Sequence, residues 1–129
     1  MSSCFCYLNA GKTYELCKEG RDGLKCHVSS DGNPSGQTMT FDRVWGLLLT
    51  TETDRLNGTI DYKLKVIYGG GVHCDGPRNE YLAVPMSSAK MQTRFVCWVP
   101  ADRLQSFIPA LEAWAIRFNM QLVHDIQPV

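Results

Sequence analysis

Apolar side chains recur at intervals of three and four residues between residues 101 and 126. The stripe contains Leu104, Phe107, Ile108, Leu111, Trp114, Ala115 and Phe118. This spacing predicts an α-helix that buries one face. Pro109 lacks an amide hydrogen and clashes with the preceding turn, which predicts either a kink near Ile108 or a helix that begins with Ser106 as N-cap. Asn119 is suited to end the helix in the left-handed conformation.

Alternating apolar and polar positions predict strands in most of the remaining chain. The clearest strand spans residues 59–68, where every second side chain is apolar. The other predicted strands cover residues 4–8, 13–17, 24–28, 80–86, 91–99 and 120–126. The last two strands would form a right-handed crossover with the intervening helix if they are parallel.

The first two predicted strands flank a tight turn around Gly11. If Ala10 and Gly11 form that turn, the aromatic side chains take one face of the hairpin and the thiols take the other. The predicted pairs are Phe5 with Leu16 and Tyr7 with Tyr14 on the aromatic face, and Cys4 with Cys17 and Cys6 with Glu15 on the thiol face. The aromatic face is predicted to point into the core.

Residues 29–37 consist almost entirely of turn-forming residues, and we predict an exposed loop there. Thr40 would then cap a second helix, with Phe41, Val44, Trp45 and Leu48 on its inner face. Gly46 would cost this helix about 1 kcal/mol relative to alanine. The run of leucines and threonines that follows would also suit a strand.

Helices interspersed with hairpins favour an α+β fold. We expect a two-layer sandwich in which two helices pack on one face of a mainly antiparallel sheet. The 129 residues predict a single globular domain, 1–129. No internal repeat or low-complexity segment is visible in the sequence.

The overall charge is balanced, with 13 basic and 13 acidic residues. This balance disfavours nucleic acid and anionic membranes as partners. No apolar run approaches the about 18–20 residues that cross a bilayer, and the N-terminus does not resemble a secretory signal. The six cysteines show no framework spacing, so we expect free thiols and a cytoplasmic location.

Three groups of residues suggest chemistry, each against a simpler alternative. Cys4, Cys6, Cys17 and His27 would share a sheet face and offer three sulfurs and a nitrogen to zinc, although their spacing is not that of a zinc ribbon. Cys74 would be a nucleophile with His124 as base and Asp125 or Asn119 orienting it, although no known thiol-enzyme signature is present. The glycines at positions 69–71 lack the lysine and helix start that a phosphate cradle needs. We therefore expect small buried side chains at the first group, a surface loop around Cys74 and a flexible hairpin connection at residues 69–71. We expect no metal and no cofactor.

The fourth candidate is the sheet face opposite the helices. On the strand at residues 91–99, placing Phe95, Cys97 and Val99 inward sends Gln92, Arg94, Val96 and Trp98 outward. The expected binding residues on this face are Lys63, Lys65, Tyr81, Arg94 and Trp98. Cations beside aromatic rings suit a protein partner or a small anionic ligand. The alternative is that the flanking loops or the N-terminal hairpin cover this face and Trp98 belongs to the core.

The sequence therefore favours a small intracellular binding protein, of the inhibitor, adaptor or ligand-sequestering type, that performs no catalysis. A thiol-dependent enzyme using Cys74 with His124 is the competing hypothesis. An unpaired strand edge or the open sheet face would also allow a homodimer.

Overall fold

A computed structural model describes residues 3–30, 33–76, 80–82, 91–124 and 126. This part of the chain contains ten β-strands, a short 3₁₀-helix (Ala101–Arg103) and an α-helix. The elements are β1 (Cys4–Asn9), β2 (Lys12–Glu19), β3 (Gly23–Ser30), β4 (Asn33–Phe41), β5 (Val44–Asp54), β6 (Thr59–Tyr68), β7 (Val72–Asp75), β8 (Glu80–Leu82), β9 (Gln92–Trp98), α1 (Leu104–Arg117) and β10 (Gln121–His124).

The strands form two sheets. Sheet A has the order β1-β2-β3-β4-β7-β8 and is antiparallel throughout, whereas sheet B has the order β10-β5-β6-β9. In sheet B, β10 runs parallel to β5, and β6 runs antiparallel to both β5 and β9. The strands β9 and β10 therefore run in the same direction, with α1 connecting them.

Two long antiparallel segments pass from one sheet to the other. The first segment continues from β4 into β5 through Asp42 and Arg43, and the second from β6 into β7 through residues 69–71. Backbone hydrogen bonds from Gly69 to Arg43, from Gly70 to Asp42 and from Asp42 to Gly71 bridge the corner. A Cβ atom on Gly70 would lie 2.7 Å from Cβ of Asp42, so the bend requires a residue without a side chain. The expected flexible hairpin connection at residues 69–71 is thus a sheet corner.

The core lies between the inner faces of the two sheets and the buried face of α1. Leu16, Leu24, Phe41, Leu47 and Leu64 are completely buried there. Aromatic rings join α1 to the first hairpin, since Phe107 packs edge-on against Phe5 at 5.6 Å and against Tyr7 at 4.9 Å between centroids. Each large buried side chain contributes roughly 1.5–3 kcal/mol to folding.

The predicted register of the first hairpin is confirmed. Phe5 pairs with Leu16, Tyr7 with Tyr14, Cys4 with Cys17 and Cys6 with Glu15. The two-residue turn has positive φ at both Ala10 (51°) and Gly11 (76°), as a type I′ turn requires. The aromatic face points into the core, as predicted.

The C-terminal helix and final strand are also confirmed, with one correction at the helix start. The helix begins at Leu104 and runs through Pro109, so Ser106 does not cap it; its hydroxyl donates to the Arg103 carbonyl instead. Asn119 has a φ of 60°. Its amide donates to the Ile116 carbonyl, and the Met120 amide donates to the Ala115 carbonyl. This is the Schellman arrangement, which satisfies the last carbonyls of the helix.

The predicted fold class is wrong in its helices. Residues 44–54 form the strand β5 rather than a second helix, and the described chain is mostly β with α1 as its one α-helix. Residues 33–37 continue as β4, so the predicted loop at 29–37 is also wrong, apart from residues 31 and 32, which lie outside the described residues. Hydrogen bonding between β3 and β4 determines the structure here despite the turn-forming composition.

No helix in the described part of the chain is long and apolar enough to cross a membrane.

Candidate functional site

The outer face of sheet B is only partly covered. The inward side chains of Leu47, Leu49, Leu64 and Val66 are fully buried, whereas their sequence neighbours on β5 and β6, apart from Gly46, are partly exposed. Strand pairing places the following residues on this outer face: Leu48, Thr50, Glu52, Asp61, Lys63, Lys65, Ile67, Thr93, Phe95, Trp98 and Val123. The face therefore combines apolar, aromatic and charged side chains.

A β-bulge in β9 determines which aromatic rings reach this face. Cys97 pairs with Leu64 and Phe95 pairs with Lys65, so Val96 is an extra residue without a partner of its own. An extra residue changes the alternation of side chains along a strand. Val96 and Cys97 are consequently both buried, and Phe95 and Trp98 both point outward, with 39% and 37% of their surfaces exposed.

The bulge places two aromatic rings around one ammonium group. Nζ of Lys63 lies 5.7 Å from the centroid of Phe95 and 5.4 Å from that of Trp98. The two rings are 5.0 Å apart and meet edge to face. Such a cation–π contact contributes about 0.5–1 kcal/mol at an exposed site. We refer to Lys63, Lys65, Phe95 and Trp98 as the aromatic–lysine cluster.

Charges of both signs surround the cluster. Nζ of Lys63 lies 2.5 Å from Oε2 of Glu52, and Asp61 lies beside Glu52 in the ladder. Lys65 is opposite Phe95 on β9 and makes no ion pair within the described residues. The free cation at the cluster is thus Lys65, while Lys63 is already partly neutralised.

The structure brings together three of the five expected binding residues. Lys63, Lys65 and Trp98 share the outer face of sheet B, but Arg94 pairs with Val66 and points to the inner side. Tyr81 pairs with His73 on the outer face of sheet A. The predicted alternation on β9 is therefore wrong before residue 97. The same error predicts Phe95 to point inward, and no signal in the sequence reveals the bulge.

The first hairpin supports the end of β9 next to this cluster. The Tyr7 hydroxyl donates a 3.0 Å hydrogen bond to the Trp98 carbonyl, and the Arg103 guanidinium donates to the Leu8 carbonyl. Burial is the main cause that raises the pKa of the Tyr7 phenol, so the hydroxyl keeps its proton and remains a donor. The first hairpin therefore holds the backbone of Trp98 and the helical segment that follows it.

The geometry gives the thiol-enzyme hypothesis no support. Cys74 is a buried residue of β7 in sheet A, whereas His124 lies on β10 at the edge of sheet B. No hydrogen bond joins the two side chains among the described residues. Asn119 follows α1, and Asp125 lies outside the described residues.

The thiol face of the first hairpin does not have the free sulfurs that zinc would need. Cys4 and Cys17 form a disulfide, so the expectation of free thiols is wrong for this pair, whereas Cys6, Cys26, Cys74 and Cys97 are free. Cys6 and His27 lie on strands two positions apart, about 9–10 Å, which is too far for a shared ion. Within the residues that the structure describes, no cluster of three metal-binding side chains occurs.

Comparisons of the chain with protein-family models, curated proteins and solved structures find no match, so the geometry alone carries the functional argument.

Proposed function

We propose that this protein performs no catalysis and acts as a binding protein, of the inhibitor or adaptor type, that recognises a protein partner through the outer face of sheet B. The observation that carries the proposal is the aromatic–lysine cluster, in which Phe95 and Trp98 stay exposed beside Lys63. Tryptophan and aromatic side chains next to cations are typical of the energetic centre of protein interfaces.

A protein partner fits this face better than a small anionic ligand. Small ligands are bound in concave sites, whereas the cluster lies on the broad outer side of a four-stranded sheet. Glu52 already pairs with Lys63, which weakens the attraction for a free anion. The partner surface should offer apolar groups for Phe95 and Trp98 and a carboxylate for Lys65.

We also propose a cytoplasmic location, as the sequence suggests. Four of the six thiols are free, one of them exposed at Cys6, which favours a reducing compartment. In such a compartment the Cys4–Cys17 disulfide would be transient, since cytosolic disulfides usually serve redox chemistry rather than stability.

The proposal is tested with the variant Trp98→Ala. A partner is isolated by cross-linking the wild-type protein in cells, identified by mass spectrometry, purified and titrated against both proteins. We expect Trp98→Ala to weaken binding about tenfold or more, because a central tryptophan contributes well over 1 kcal/mol to most interfaces. Ile116→Ala is the matched control, since Ile116 is an exposed apolar residue on the outer side of α1.

An affinity of Trp98→Ala within about twofold of wild type would exclude this face, provided that circular dichroism shows the same fold. Sedimentation of the purified wild-type protein is measured first. If it dimerises and Trp98→Ala does not, the partner is a second copy of the chain.

A further inference from the structure

We infer that the Cys4–Cys17 disulfide is a site of exchange with a small thiol that carries carboxylate groups, such as a cysteine-containing peptide. The inference goes beyond the proposed partner recognition, because it concerns the outer face of sheet A and needs no partner. It depends on the position of the disulfide in the ladder, on a cavity beside it and on the charges around that cavity.

The ladder explains why these two cysteines are joined. The Lys18 amide donates to the Ser3 carbonyl at 3.0 Å, which makes Ser3 and Lys18 a hydrogen-bonded pair. Cys4 and Cys17 are therefore the adjacent non-hydrogen-bonded pair, in which side chains approach most closely. Their Cα atoms are 4.0 Å apart. The disulfide thus crosses the outer side of the first hairpin, and both cysteines remain partly exposed.

A cavity of about 520 Å³ opens on this side of sheet A. The disulfide forms part of its wall, together with His27 and Thr38 from β3 and β4. Nδ1 of His27 lies 2.7 Å from Oγ1 of Thr38, which fixes the orientation of the imidazole ring. This volume lies within the range of roughly 300–1,000 Å³ that is typical of small-ligand sites.

The charges around the cavity match a zwitterionic ligand. Lys25 supplies a cation, and Glu15 and Glu19, which alternate with Cys17 on the outer side of β2, supply carboxylates. Lys25 is the register partner of Cys17 and is exposed, so its ammonium group is the cation placed opposite the disulfide. It would attract a carboxylate of the ligand and would stabilise negative charge on Sγ of Cys17.

The exchange proceeds in two balanced steps. The thiolate of one small thiol attacks Sγ of Cys4, the Cys4–Cys17 bond breaks, and its electron pair leaves on Sγ of Cys17. A second small thiol then attacks the sulfur of the first and releases Cys4. Two small thiols become one disulfide, and their two protons end on Cys4 and Cys17.

Cys6 is the exposed one of the protein's four free thiols, and it is a poor substitute for the external thiol. Cys6 lies on the same outer face as Cys4, one alternate position further along β1. Although Cys6 is exposed, partial desolvation, and then the nearby Glu15, raise the pKa of its thiol, so this sulfur stays mostly protonated at neutral pH and is a weak nucleophile. The nucleophile must therefore come from solution.

The experiment measures reduction of the native, air-oxidised protein by glutathione, followed by trapping of new thiols with an alkylating reagent and mass spectrometry. We expect both cysteines to become labelled without unfolding, at a rate that rises with glutathione concentration. Lys25→Gln should slow the reaction with glutathione about two- to fivefold, the range of one exposed charge contact, and slow the reaction with neutral 2-mercaptoethanol less. Lys12→Gln is the matched control and should react like wild type.

Three results would overturn the inference. The first is that all six thiols are free in protein isolated in air. The second is a rate of disulfide reduction that does not depend on the thiol concentration but rises with the denaturant concentration. The thiol would then reach the disulfide only after the protein unfolds. The third is that Lys25→Gln reacts with glutathione as fast as Lys12→Gln. None of these results depends on whether sheet B binds a partner.

Discussion

Positive φ values mark the points where this chain changes direction. Among the described residues other than glycine, Ala10, Arg43 and Asn119 adopt them. Ala10 lies in the first turn, Arg43 at the corner between the sheets, and Asn119 after α1. Asparagine accepts this conformation readily, but alanine in the left-handed region is disfavoured by roughly 1–2 kcal/mol. Ala10 is therefore a residue at which the sequence does not suit the local backbone.

Replacement of Ala10 by asparagine should stabilise the protein. Asn-Gly is the preferred pair in a type I′ turn, so we expect the free energy of unfolding to rise by about 0.5–1 kcal/mol in urea titrations. Gly11→Ala is the reverse control, because a Cβ atom at this position would have no neighbour within 4 Å. This variant should lower the free energy of unfolding by about 1 kcal/mol through backbone strain alone. A less stable Ala10→Asn variant would contradict the assigned turn.

The last strand depends on a glycine in its neighbour. The strand β10 pairs with β5, with Gln121 opposite Gly46. A Cβ atom on Gly46 would lie closer to the Gln121 carbonyl oxygen than any real contact of this kind. The close approach of β10 to sheet B therefore requires glycine at position 46.

Gly46→Ala should displace β10 from the sheet. We expect a loss of about 1–3 kcal/mol in the free energy of unfolding, and faster hydrogen exchange at residues 121–124 than in wild type. Gly58→Ala is the comparison, since Gly58 has open space around it and only a positive φ to strain. Exchange rates in β10 that do not change would contradict this contact.

The turn between β5 and β6 depends on the charge of Asp54. Its carboxylate accepts hydrogen bonds from the Leu56 amide (2.9 Å) and from the Asn57 side chain (2.8 Å). These hydrogen bonds, the Leu56 amide first, lower the pKa of the Asp54 carboxyl. Because the pKa is lower in the folded state, the stabilisation is present above the ordinary aspartate pKa and is lost as the pH falls through the lowered value.

Nuclear magnetic resonance titration would measure this effect directly. We expect Asp54 to titrate below the ordinary aspartate range in the wild-type protein, and closer to it in Asn57→Ala, which removes one donor. The stability difference between wild type and Asp54→Ala should be constant near neutral pH and shrink in acid. An unshifted Asp54 would show that the turn is not formed in solution.

The sequence predicts elements well where one period dominates, and fails where two compete. The strand β6 and helix α1 each have a clear alternation or stripe, and both are confirmed. In β5, Val44 and Leu48 suit a helix while Leu47 and Leu49 suit a strand, and a register shift at Trp45 disturbs the alternation further. Pairing with β6 and β10 on both sides decides for the strand, and this pairing is not visible locally.

The candidate site shows the same limit. Lys63 and Trp98 lie on the face that the alternation predicts, because this alternation holds on β6 and at the end of β9. Arg94 and Phe95 exchange faces because the bulge at Val96 adds one residue. Tyr81 lies on the other sheet, since strand order is a property of the whole chain rather than of a segment.

At the scale of the molecule, the free thiols divide into one exposed and three buried groups. Cys6 is exposed, whereas Cys26, Cys74 and Cys97 lie in the core. Burial raises the pKa of Cys97 to about 12 and that of Cys26 well above its usual value. Both of these thiols are therefore protonated as well as inaccessible.

Alkylation of the native, oxidised protein should modify Cys6 and leave the three buried cysteines unmodified. In denaturant all four should react, and mass spectrometry of the peptides would assign each site. Raising the pH toward 9 should accelerate the reaction of Cys6, because more of it becomes thiolate. Labelling of Cys74 in the folded protein would contradict its burial and would favour the competing hypothesis that Cys74 is a nucleophile.

The corner shared by the two sheets also limits how the gene can change. The segments that join β4 to β5 and β6 to β7 each carry inward side chains for both layers, such as Phe41 before the corner and Leu47 after it. Adding or removing one residue within either segment would move the inward side chains that follow to the outer face of the sheet, and the outward ones into the core. Insertions and deletions should therefore be tolerated at the distal turn, residues 55–58, while the strands themselves admit changes of residue type but not of length.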